Sequence, residues 1–94
     1  MATTSTWISV TTDFLTAFDR LPFGTFRGQS DGRTYIVTKS ALLGDKAQKL
    51  VAEELGGEDY ISLNLYRLSA GPLLKPCEMP EQKVVRFVES LTLL

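Results

Sequence analysis

Residues 59–68 (DYISLNLYRL) alternate polar and apolar side chains almost without a break. That two-residue period predicts a half-buried β-strand. It puts Ile61, Leu63 and Leu65 on one face and Tyr60, Ser62, Asn64 and Tyr66 on the other. Three large aliphatics make the first face the core side. The turn residues Ala70-Gly71-Pro72 follow, then a second short strand, Leu73–Cys77. The prolines of Lys75-Pro76-Cys77-Glu78-Met79-Pro80 argue against its being a central strand.

Other stretches repeat every three to four residues. In Thr12–Leu21 the positions Phe14, Leu15, Phe18 and Leu21 form one apolar stripe, which predicts a helix. Thr11 or Thr12 can cap it, Asp13 suits its positive end, and Pro22 stops it. Pro80 and Glu81 open a closing helix whose apolar face is Val84, Val85, Phe87, Val88 and Leu91. A third helix is predicted after Asp45 as N-cap. Its stripe is Ala47, Leu50, Val51 and Leu55, and Gly56-Gly57 ends it. Its charges oppose the helix dipole, with Lys46 and Lys49 early and Glu53 and Glu54 late.

Between the first and third helices, Phe23–Gly28 and Gly32–Lys39 read as a hairpin closed at Asp31-Gly32. Its second strand sets Tyr35 and Val37 on one face and Thr34, Ile36 and Thr38 on the other, without showing which is the core. Thr6–Thr11 reads as a short edge strand or arm, after a loose start at residues 1–5. The predicted order is (β)α-ββ-α-ββ-α. It implies one α+β domain, a two-layer sandwich of about three helices on a mostly antiparallel sheet of four or five strands.

Composition narrows the chemistry more than it names it. The 94 residues contain no histidine, which excludes histidine-based nucleophile activation, general base work and metal ligation. Cys77 is the one cysteine, so there is no internal disulfide, and a buried structural thiol is its simplest role. The carboxylate pairs Glu53/Glu54, Glu58/Asp59 and Glu78/Glu81 read as solvated acids. No cofactor, metal site or enzymatic activity is expected. No stretch has the length of a membrane-spanning helix, and with few cysteines a cytoplasmic protein is expected.

The net charge of −1 hides an uneven distribution. Residues 24–50 carry Arg27, Arg33, Lys39, Lys46 and Lys49 against Asp31 and Asp45, whereas residues 51–74 are acidic. The basic stretch reads either as a solvated face or as an anion-binding surface. In the second case Lys46 and Lys49 would flank a helix N-terminus suited to phosphate. The polar strand face Tyr60, Ser62, Asn64 and Tyr66 is the second candidate. Alternating tyrosines and small polar groups suit cross-strand pairing, a protein partner or stacked bases. The expected function is a small non-catalytic interaction domain, a homodimer or the binder of another protein. The alternative is a single-stranded nucleic-acid binder that uses the tyrosine face and the basic segment.

Overall fold

A computed structural model describes residues 8–94. Five long strands form one antiparallel meander: β2 (Gly24–Ser30), β3 (Arg33–Leu42), β4 (Ala47–Glu54), β5 (Tyr60–Leu68) and β6 (Gly71–Pro76). A two-residue strand extends each edge. β1 (Ile8–Ser9) pairs with β6, and β7 (Thr92–Leu93) pairs with β2. The helices α1 (Thr12–Arg20) and α2 (Glu81–Ser90) each carry the chain from one edge of the sheet to the other. They pack side by side on the same face.

The α+β two-layer class holds, with different counts. The segment expected as a third helix is the central strand β4, so two α-helices remain and the sheet gains a strand. The stretch fits both periods. Read in twos, Gln48, Leu50 and Ala52 face the helices, and Ala47, Lys49, Val51 and Glu53 face away. Its ladders run to β3 on one side, from Leu42↔Ala47 to Tyr35↔Glu54, and to β5 on the other, from Ala47↔Tyr66 to Glu53↔Tyr60. A lone amphipathic helix here would leave β3 and β5 without these partners, and would hold its charges against its own dipole.

Of the expected N-terminal strand only Ile8–Ser9 is one; Thr6, Trp7 and residues 1–5 lie outside the described residues. The β2–β3 hairpin turns at Asp31 (φ 51°) and Gly32 (φ 77°). This left-handed pair matches the strand twist. β6 runs through both Pro72 and Pro76 because of where their nitrogens point. The Cys77 N–H donates to the Ser62 carbonyl at 3.0 Å, so alternate residues 72, 74 and 76 turn their nitrogens to the outer edge. No ladder bond to β5 is lost there.

The core lies between sheet and helices. Phe14, Phe18, Val84, Phe87 and Val88 descend onto Val37, Leu50, Ala52, Ile61, Leu63, Leu65 and Leu74. The Ile61, Leu63 and Leu65 face is the core side, as the alternation implied. Tyr35 belongs to this layer and meets Phe87 edge-on at 4.8 Å between ring centroids. Gly28 lets Leu91 close over β2, because a Cβ there would lie 2.6 Å from Leu91 Cδ1.

Candidate functional site

Opposite the helices lies the second face of the meander, and none of the described elements covers it. Cross-strand register shows which side chains share it. One row runs Arg27, Ile36, Glu53, Tyr60. The next is Thr25, Thr38, Val51, Ser62, and the third Ser40, Lys49, Asn64, Lys75. Leu42, Ala47, Tyr66 and Leu73 make the fourth. The face therefore carries two apolar patches, Ile36 with Val51 and Leu42 with Leu73 over the buried Ala47, separated by the polar row Ser40, Lys49, Asn64 and Lys75.

Local bonds fix part of it. Thr25 and Thr38 share a hydrogen bond between hydroxyls at 3.0 Å. Asn64 Nδ2 donates to Tyr66 Oη at 3.1 Å, while the buried Asn64 Oδ1 has no hydrogen-bond partner. Tyr60, at the start of β5, is 45% exposed.

The expected site residues divide between the two faces. Tyr60, Ser62, Asn64, Tyr66, Arg27 and Lys49 meet on the open face. Lys46 lies off it in the short 3-10 turn Gly44–Lys46. The phosphate site at a helix N-terminus does not exist, because Lys46 and Lys49 precede and occupy a strand. Arg33 sits beyond the hairpin turn, 3.8 Å from Asp59. Lys39 is only 3% exposed and belongs to the helix layer. Its ammonium donates to the carbonyls of Phe18 and Leu21 at 2.9 Å each and lies over the Phe18 and Phe23 rings. It closes the C-terminal end of α1, where the dipole favours a cation. Burial pushes its pKa down.

The sequence reading passed over Lys75, Thr25, Val51 and Leu73. Lys75 lies inside the expected strand Leu73–Cys77, whose prolines mark an edge rather than a central strand. Its two-residue offset from Leu73 and Cys77 was the available signal.

A second cluster lies at the end of the sheet beneath α2, around a cleft of about 250 Å³. Asp59 is its hub. Lys83 Nζ meets Asp59 Oδ1 at 2.7 Å, and Tyr35 Oη donates to Oδ2 at 2.7 Å. The Lys83 ammonium chiefly holds the Asp59 carboxyl below the usual range. Burial, together with the bond to Asp59, pushes the Tyr35 phenol up to about 12. Arg86 pairs with Asp31 at 3.3 Å, and Ser30 and Ser90 share a hydrogen bond at 2.6 Å. The acids here are occupied by the chain's own cations, so the cluster ties α2 to the sheet. Among the described residues no three His, Cys, Asp or Glu side chains gather to hold a metal ion, and no helix is long and apolar enough to cross a membrane.

No family model matches the chain, and neither a curated protein nor a solved structure is similar to it.

Proposed function

We propose that this chain is a non-catalytic binding domain and that the open sheet face is its working surface. The observation that carries the reading is the composition of that face. Its strands are long and central, yet the side turned from the helices is neither uniformly charged, as a solvated face tends to be, nor closed by a described second layer. Ile36 and Val51, and Leu73 apart from them, are interspersed with Thr, Ser, Asn, Tyr and Lys side chains, a mixture of apolar and hydrogen-bonding groups of the kind found at recognition surfaces. The other clusters have structural partners. Lys39 caps α1, and Asp59 anchors Lys83 and Tyr35.

Of the three partners the sequence suggests, a second copy packed face to face is the poorest match. Arg27, Lys49 and Lys75 outnumber Glu53 on this face, and symmetric pairing would oppose like charges. A partner of opposite charge suits it better.

Capture from a cell extract tests the reading when variants accompany it. Immobilised chain, an Arg27→Glu/Lys49→Glu double variant and a Glu89→Gln variant on exposed α2 are compared, with bound protein and nucleic acid both identified. Capture is expected to vanish with the double variant and to persist with Glu89→Gln. Capture that survives the double variant places the working surface elsewhere.

A further inference from the structure

We infer that the occupant of the open face is single-stranded nucleic acid, a step that rests on that face being the working surface. Charge is segregated between the faces. The open face carries Arg27, Lys49 and Lys75 against Glu53, a net of +2. The whole chain is −1, so everything outside the face sums to −3. Three of the ten cations lie on this face and seven elsewhere, but only one of the eleven acids does, so the face that no described element covers is positive on balance in a slightly negative chain. An anionic partner is attracted there and repelled elsewhere.

Aromatic and small polar side chains lie between the cations. Tyr60 and Tyr66 sit six residues apart on one face of β5, about 20 Å along the strand. Ser62 and Asn64 lie between them. Lys49 and Lys75 flank Asn64 on the neighbouring strands, Lys49↔Asn64↔Lys75. Unstacked bases lie against aromatic rings while cations track the backbone, the arrangement that single strands need. A duplex keeps its bases stacked and is read by an element inserted into a groove. Here both helices are packed on the opposite face, so no helix is available for that. An acidic peptide shares the charge, and polyglutamate stands for it in the test. The exposed Tyr60 ring, with the Lys83 ammonium 5.9 Å from its centroid, is the better stacking position of the two.

Fluorescence anisotropy with a labelled oligothymidine, a duplex of equal length and polyglutamate decides the matter. The single strand is expected to bind at about 50 mM salt, with a log–log salt slope near −2, as three backbone contacts require. Lys49→Glu/Lys75→Glu is expected to weaken it by more than tenfold. Tyr60→Ala should cost roughly 5- to 100-fold and Tyr60→Phe little, since stacking needs the ring alone. Glu89→Gln is expected to bind as the unaltered chain does. Urea midpoints near that of the unaltered chain establish that each variant is folded. Duplex binding as tight as single-strand binding overturns the inference, as does binding indifferent to the lysine pair. If polyglutamate alone binds and the lysine variant abolishes it, the occupant is wrong and the face stands. If neither polyanion binds, the inference fails, and the capture experiment alone decides the face.

Discussion

Lys39 shows how a side chain's chemistry is set by the face on which it falls. In the sequence it is one of five cations in a basic run. In the structure its neighbours Thr38 and Ser40 face away from the helices while Lys39 enters the core layer. Its long stem fills apolar space, and its ammonium satisfies the end of α1. Lys39→Met keeps the stem and leaves the Leu21 carbonyl unpaired. A loss of about 1–3 kcal/mol is expected, seen as a lower urea midpoint. Asp59 and Tyr35 give the residue-scale pH effects. Asp59 has its folded pKa lowered below 3.8, chiefly by Lys83. Its stabilisation is therefore present above that value and is lost as the pH falls through the folded pKa. Asp59→Asn is expected to flatten the acid limb of stability measured against pH. Tyr35 has its folded pKa raised from 10.0 to about 12. Its contribution is full below 10.0 and disappears as the pH rises towards about 12. Ultraviolet titration should show one of the three tyrosines ionising late, and Tyr35→Phe should remove that step.

At the scale of elements, β4 is where local pattern and tertiary context part. Ala47, Leu50, Val51 and Leu55 fit a helical stripe. Leu50 and Ala52 fit a strand face equally well. An eight-residue apolar-polar mixture between glycines does not decide between them by periodicity. The reversed charges were the local evidence against a helix, since Lys46, Lys49, Glu53 and Glu54 oppose a dipole that a strand does not have. Pairing on both sides then decides the matter. Where one pattern dominated, the elements were legible. Phe14 and Phe18 announced α1, Val84 to Val88 announced α2, and Asp31-Gly32 announced its hairpin. β1 was legible as a short edge strand within Thr6–Thr11, whereas β7 was not, because its position depends on where α2 delivers the chain. Backbone chemical shifts of Ala47–Glu54 are expected to be extended throughout. Helical shifts there would contradict this topology. Leu50→Ala, at a site with no exposure, is expected to cost about 2–5 kcal/mol.

At the scale of the whole molecule, half of the expected site was legible because β5 was. Its alternation gave Tyr60, Ser62, Asn64 and Tyr66 one face without further information. The cations were not legible, because a run along the chain says nothing of how strands share it out. The meander keeps Arg27 and Lys49, adds Lys75 from a proline-flanked strand, and sends Arg33 and Lys39 elsewhere. What results is a two-sided molecule. One side is helical, with Lys39, Tyr35, Asp59 and Lys83 tied to structural partners. The other is a mixed sheet face, positive on balance. Recognition by that second side is the central claim, and amide chemical-shift mapping during titration with oligothymidine tests it most directly. The account predicts shifts concentrated at the open-face positions of β2 to β6, Arg27, Lys49, Tyr60, Ser62, Asn64 and Lys75 among them, with α1 unmoved. Shifts centred on α1, α2 or the cleft beneath α2 would contradict it, as would none at all.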